Sequence, residues 1–353
     1  MARAGRSQPS TRPRPVDVPD YNLPAEAIAQ QPAARRDAAR LLVSLRPGEV
    51  SHRFVRDLPE LLGPGDVLVV NTTRVLPARL SLEKSTGGSA EVLLLEPIAG
   101  RAGCWEALVR PGRRLPPGTV LSAPGAPRPL VEVGAALGDS RRQVRLLVEA
   151  EEVFSTGTVP VPPYIHEPPT DPERYQTVYA EHPGSVAAPT AGLHLTVEVL
   201  DRLRARGVQV ATVDLSVGLG TFLPVTAERA EEHPMHAERY HVPDATMDAC
   251  GAARRVVAVG TTTVRALESA AATGQRSGRS SLYIRGHYPW QVVDVLMTNF
   301  HQPRSTLLLL LDAFIGPRWR DLYAEALTTG YRFLSFGDAM LVGRRQGSHV
   351  GAG

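Results

Sequence analysis

The chain has 353 residues, 43% of them hydrophobic, and a formal net charge of +3. That length outgrows one small core and suits two domains. The longest apolar run, Leu307 to Leu311, is far too short to cross a bilayer, so no membrane partner is expected. The N-terminal arginines have no apolar stretch behind them, which argues against a secretory signal. Two cysteines, Cys104 and Cys250, cannot build a disulfide framework or a zinc site by themselves. A cytoplasmic protein with reduced thiols is expected. The excess charge is local: Arg3, Arg6, Arg12 and Arg14 against Asp17 account for it, leaving 35 basic and 35 acidic residues in the rest of the chain. An RNA partner would therefore need a local basic patch, for which Arg36, Arg40, Arg74, Arg79, Arg110, Arg113 and Arg114 are candidates. Lys84 is the only lysine.

Residues 1–18, rich in Arg, Pro and Ser and without periodicity, read as a disordered tail. Between Pro32 and Leu42, Asp37 and Arg40 lie one helical step apart. From 66 to 150 short apolar runs recur, from Val67–Val70 to Val144–Val148. Turn residues such as Gly87-Gly88, Pro111-Gly112 and Pro116-Pro117-Gly118 punctuate them, and no helix-length pattern interrupts. That is the pattern of a small antiparallel sandwich or barrel. After Pro160 strands and helices alternate. Thr196 can cap a helix to Arg206 that Gly207 ends. Val208–Leu215, Val256–Val259 and Val292–Leu296 read as strands, with helices through Ala272 and over Thr306–Phe314. The expectation is an α/β main domain, covered on both faces and interrupted by a small antiparallel β-barrel domain. The boundaries are 19–63 and 154–345 for the α/β domain, 64–153 for the barrel and 346–353 for a flexible C-terminus.

Candidate chemistry gathers at strand ends. Gly218 and Gly220, with Thr221 and Phe222, follow the strand ending at Leu215; they suit close ligand approach or an ordinary tight turn. Gly260-Thr261-Thr262-Thr263 joins a strand to a helix, where free N–H groups and hydroxyls suit a carboxylate or phosphate, or a plain N-cap. Arg265 is either a clamp for an anionic end or half of an exposed ion pair with Glu268. His233-Pro234-Met235-His236-Ala237-Glu238 is not the i, i+4 pair of a zinc protease. A general base or a ligand hydrogen bond suits His236 and Glu238 better than a metal, the alternative being a surface loop with chance histidines. His194, preceded by Thr190, and His301, between Asn299 and Arg304, lie in polar loops just before helices. Tyr175, Gln176 and Tyr164 offer aromatic and amide groups for a purine, or core edges.

Several long segments resemble, in order, those of the S-adenosylmethionine:tRNA ribosyltransferase-isomerase family of queuosine biosynthesis. They include YNLPAEAIAQQP (21–32), GDVLVVNTTRVLPARL (65–80), GSVAAPTAGLH (184–194), VGLGTFLPV (217–225), HPMHAERY (233–240), VAVGTTTVRALES (257–269), TNFHQPRSTLLLL (298–310) and YRFLSFGDAML (331–341). The resemblance implies the α/β-plus-barrel fold. It also implies transfer and isomerisation of the ribosyl moiety of S-adenosylmethionine onto the aminomethyl group of a 7-deazaguanine in the tRNA anticodon, giving epoxyqueuosine. Adenine and methionine leave. S-adenosylmethionine is then a co-substrate, no further cofactor or metal is expected, and the protein is expected to be a monomer. Proton removal next to the sulfonium needs a base, for which His194, His236 and His301 are candidates. Gly260–Thr263 and Arg265 suit the methionine carboxylate, and Tyr175, Gln176 and Phe222 the adenine. The chain departs from the family pattern at Ser216, where His is usual, at Leu195 for Phe and at Thr72 for Asp. These departures keep open a diverged paralogue acting on a free small deazapurine, or a non-catalytic binder.

Overall fold

In the computed structural model, described for residues 16–138, 140–218, 229–233, 235 and 237–345, the chain forms a large mixed sheet with a closed barrel inserted into it. In chain order come β1 (Arg40–Ser44), β2 (Ser51–Phe54), α1 (Leu58–Leu61), β3 (Asp66–Asn71) and β4 (Thr73–Val75). The barrel follows as β5 (Arg79–Lys84), β6 (Ser89–Pro97), β7 (Cys104–Arg110), β8 (Val120–Ser122), β9 (Pro129–Gly138) and β10 (Arg141–Leu146), then α2 (Ala150–Ser155). The return leg holds β11 (His182–Ser185), α3 (Val197–Ala205), β12 (Gln209–Leu215), β13 (Glu238–His241), α4 (Asp244–Ala252) and β14 (Arg255–Val259). It ends with α5 (Thr261–Thr273), β15 (Ser277–Ser280), β16 (Val295–Asn299), α6 (Thr306–Ile315), α7 (Trp319–Thr328) and β17 (Ala339–Gly343).

Among the described residues the large sheet has nine strands in the order β15-β13-β12-β3-β14-β16-β17-β1-β2. Strands β12, β3, β14 and β16 run parallel, and β17 turns back against β16. The unbroken apolar run of β3 is what a parallel strand buried on both faces requires. Val67 and Val69 face one core with α4, α5, α6 and α7; Leu68 and Val70 face a second with α1 and α3. Every residue of α5 from Thr261 to Ala270 is buried, so this helix lies inside the first core rather than on a surface. Asp66 locks the starts of β3 and β14. Its buried carboxylate accepts from Arg255 Nε at 2.9 Å, Arg254 Nη2 at 2.8 Å and the Gly63 N–H at 3.0 Å. Burial alone would raise this carboxyl's pKa, but the bonds from Arg255 and Gly63 outweigh it and hold it below the usual range.

Several expectations shift. The run Val67–Val70, read with the barrel, is a central strand of the large sheet; barrel strands begin at Arg79, not at 64. Both run types are apolar, and only pairing partners separate them. Asp37 does not reach Arg40 along a helix. A single 3-10 turn, Arg36–Ala38, precedes β1, Asp37 pairs with Arg35, and the Arg40 guanidinium sits 3.7 Å above the Tyr331 ring. The strand read at Val292–Leu296 runs from Val295 to Asn299, because Glu268 holds the N–H groups of Gln291, Val292 and Val293, each at 3.0 Å. Residues 16–18 belong to the fold: Asp17 bridges to Arg229, and Val16 and Val18 pack beside Leu309. Residues 1–15 and 346–353 lie outside the described residues. The helix capped by Thr196 and the one entered through Gly260 form as expected. Among the described residues no helix is long and apolar enough to cross a membrane.

Asp66→Ala leaves two arginines without their buried partner and should lower the unfolding free energy by about 3 kcal/mol at pH 7, read by urea denaturation. The difference from wild type should shrink below about pH 4. The carboxylate's contribution is complete above its unfolded-state pKa near 3.9 and fades as pH falls through the lower folded-state value.

Candidate active site

A cleft enclosing about 580 Å3 of space, open solvent included, opens at the carboxyl ends of β14 and β16, where ligands of α/β sheets bind. Its floor is Gly260-Thr261-Thr262 at the start of α5. Gly260 has φ 86°, and its N–H donates to Met297 O at 2.8 Å, so the chain turns sharply from strand to helix. A Cβ here would meet its neighbours only at 3.6–3.7 Å, so the backbone conformation, not space, requires glycine. The first-turn N–H groups of α5 have no partner within the helix and aim positive charge at the cleft. Ser305 caps α6, accepting from Leu308 N–H at 3.2 Å, and lines the same cleft, so two helix starts converge there.

Three loops close the walls. Thr190 Oγ1 donates to Asn299 Oδ1 at 3.0 Å, and Asn299 Nδ2 donates to Leu334 O at 3.1 Å. Tyr164 presents its ring, with its hydroxyl 2.7 Å from Ser335 Oγ, and burial pushes that hydroxyl's pKa up to about 12, so it stays protonated. His301 also lines the cleft, with Nε2 3.1 Å from Thr298 Oγ1. Its main chain is pinned: its N–H donates to Tyr323 Oη at 2.8 Å and its carbonyl accepts from Tyr21 Oη at 2.6 Å. Burial lowers the His301 pKa to about 3, so the ring is neutral at working pH.

Of the residues named from sequence, Thr190, Thr261, Thr262, Asn299 and His301 meet in this cleft. His194 does not. It is buried with Nε2 2.8 Å from Gly337 O and Nδ1 3.2 Å from Ala191 O, beside a smaller void shared with Arg36 and Arg174. Burial lowers its pKa, and its ring ties two turns together. Tyr175 is fully buried against Phe336 in a satellite core, with no face left for a purine. Gln176 spends its amide on Val75, accepting from the N–H at 3.0 Å and donating to the carbonyl at 2.9 Å. Arg265 is committed to a buried ion pair with Glu238 and to the carbonyls of Leu282 and Ser280, so it is no clamp at the cleft, and it does not pair with Glu268. Glu238 in turn accepts the Gly218 N–H at 2.9 Å, beside the cleft residue Val217. Arg304, at φ 51°, donates its N–H to Pro19 O at 3.0 Å and lies outside the lining. Gly220, Thr221, Phe222 and His236 lie outside the described residues. Ser216 places Oγ 3.3 Å from Arg239 Nη2 and does not line the cleft.

Sequence reasoning passed over Asn71, Gln302, Ser305 and Ser335. Asn71 is the most consequential. Its side chain meets both backbone groups of Leu215 at 3.0 Å, the Thr73 N–H at 3.2 Å and Thr262 Oγ1 at 3.3 Å. A polar residue closing an apolar strand was the available signal.

The buried neutral His301 sets a pH response. In the unfolded chain it binds a proton near pH 6.5, in the fold only near pH 3, so stability falls as pH drops through that window. His301→Gln should flatten this part of the stability profile, read by urea denaturation between pH 7 and 4.5. An equally steep decline in the variant would refute the assignment.

With this geometry in hand, the chain's relatives are informative. Residues 16–342 match the family model described as queuosine biosynthesis protein. A Rubrobacter xylanophilus protein named S-adenosylmethionine:tRNA ribosyltransferase-isomerase is 52% identical over 93% of this chain and 97% of its own length. A Thermus thermophilus protein of the same name is 51% identical over 93% of this chain and 99% of its own. The crystal structure of an S-adenosylmethionine tRNA ribosyltransferase from Thermotoga maritima, 37% identical, superposes with a TM-score of 0.52 and covers 92% of this chain and 99% of that one. This chain belongs to the queuosine biosynthesis family of S-adenosylmethionine:tRNA ribosyltransferase-isomerases.

Proposed function

We infer that this chain carries out the family's reaction, transferring and isomerising the ribosyl moiety of S-adenosylmethionine onto the aminomethyl group of a 7-deazaguanine in tRNA. The observation that carries the reading is identity above 50% to enzymes of that name across nearly the whole chain. The cleft adds chemical fit. The positive ends of α5 and α6 suit the methionine carboxylate, and the Tyr164 ring is the aromatic wall available to adenine, in place of the buried Tyr175. S-adenosylmethionine is a co-substrate that brings its own leaving group, so the reaction calls for no other cofactor. The reading includes a monomer that meets its tRNA substrate in the cytoplasm.

The sulfonium acidifies the neighbouring C–H, and a positioned base must take that proton. Of the two candidate histidines among the described residues, His301 faces the cleft and His194 serves as a positioning residue; His236 is the alternative base. The His301 ring is unprotonated at neutral pH, the state a base requires.

Adding an aminomethyl-deazaguanine tRNA should release adenine and methionine from S-adenosylmethionine, read by chromatography. Turnover of the free base but not of tRNA would point to the small-molecule paralogue, and calorimetric binding without turnover to a non-catalytic binder. His301→Gln should lower kcat by at least about 100-fold with little change in the KM for S-adenosylmethionine. A kcat/KM profile flat down to pH 5 keeps the base role with His301; an acid limb above pH 5 takes it away from His301.

A further inference from the structure

Seven arginines make up the basic patch suggested by sequence, and the fold sorts them. Arg36 donates to the carbonyls of Leu193 and Glu173, Arg40 is stacked on Tyr331, and Arg74 pairs with Glu173. Arg79 sits at the base of the barrel, its strand bonded to Thr158. Arg110, Arg113 and Arg114 are different. All three are exposed within the five residues from Arg110, the last of β7, to Arg114, and among the described residues none makes an ion pair. The loop that carries them is held firmly. Leu115 is fully buried in the barrel core, Arg114 N–H donates to Pro111 O at 3.1 Å, and Arg142 Nη1 reaches Gly112 O at 3.4 Å. Glu91 stands opposite Arg110 in the strand register without bonding it, and Glu83 lies across the neighbouring groove. The result is a well-held knuckle with three uncommitted guanidinium groups on a chain whose basic and acidic residues balance at 35 each beyond the N-terminal tail.

Topology places this knuckle on the cleft side of the molecule. The chain leaves β3 at its carboxyl end, where Asn71 holds the cleft floor, and enters the barrel at Arg79. It returns through Thr158 to Tyr164 on the cleft wall. The barrel therefore stands on the sheet edge that carries the cleft, and a bidentate pair of Arg279 with Glu96, at 2.9 Å in both bonds, fastens it to β15. From Glu96 to Glu91, the residue opposite Arg110, is five residues of strand, or about 17 Å. None of the three arginines lines the cleft, so the knuckle offers itself to backbone flanking a base seated there rather than to the base.

We propose that Arg110, Arg113 and Arg114 form a docking point for the sugar-phosphate backbone of the RNA acceptor, on the helical stem beside the reacting nucleotide. Guanidinium groups fork onto phosphate oxygens, and their release of counterions makes such contacts strongly salt-dependent. The proposal rests on the reading above that the acceptor is tRNA. It assigns the knuckle to RNA affinity and to no part of the chemistry.

The test uses the full-length chain with Arg110→Gln, Arg113→Gln and Arg114→Gln combined, and the corresponding triple Lys variant. At about 0.15 M salt the Gln variant should show a KM for tRNA raised by at least about tenfold, and a dependence of log KM on log salt shallower by about 2 to 3. The kcat at saturating tRNA and the KM for S-adenosylmethionine should hold, and the Lys variant should recover most of the affinity. An unchanged KM for tRNA and an unchanged salt slope overturn the proposal. So does an equal loss in the Lys variant, which would mark the arginines as structural. If wild type fails to turn over tRNA, the acceptor reading fails; filter retention of tRNA by wild type and variants then tests the knuckle separately, with equal retention again overturning it.

Discussion

The buried amide of Asn71 is the contact on which the rest of the molecule turns. One side chain, wholly inside the protein, satisfies the backbone of β12 at Leu215, the turn into β4 at Thr73 and a hydroxyl on the first turn of α5. A buried amide must find partners for its donors and its acceptor, and here they belong to three different parts of the chain. The same residue therefore aligns the central strands, starts the excursion into the barrel and fixes the cleft floor. Function and fold share this joint, so disturbing it disturbs both.

Around that joint the polar residues divide by whether the backbone claims them. Gln176, His194, Glu268 and Arg265 are chemically attractive groups, yet each is spent on main-chain atoms or a buried partner that would otherwise go unsatisfied. Loops at the carboxyl ends of parallel strands cannot use the sheet ladder for all their polar groups, so side chains supply the missing bonds. The residues left facing the cleft are fewer and plainer: threonines, Asn299, Tyr164 and a neutral His301 beside two helix starts. Such a cleft offers helix dipoles and hydrogen-bonding groups but very few titratable side chains. The barrel adds no lining to the cleft, but it is anchored at its root by the paired segments at Arg79 and Thr158 and at its flank by Arg279 and Glu96.

The sequence by itself determined the architecture, because its signals are local. An apolar run of four to six residues makes a strand, Thr196 and Gly207 bound a helix, and glycine at position 260 permits the strand-to-helix turn. It also determined the family, through long segments in a fixed order. Which apolar run belongs to which sheet was not legible: β3 and β5 look alike until their partners are known. The tertiary structure alone decided which of the candidate side chains are left free of other partners. Tyr164 or Tyr175, His301 or His194, and Arg110 or Arg74 are equal candidates in one dimension. They part only when packing buries one ring, carbonyl groups claim one imidazole and a carboxylate claims one guanidinium. Those claims come from residues remote in the chain, and a side chain's freedom to act is whatever they leave over.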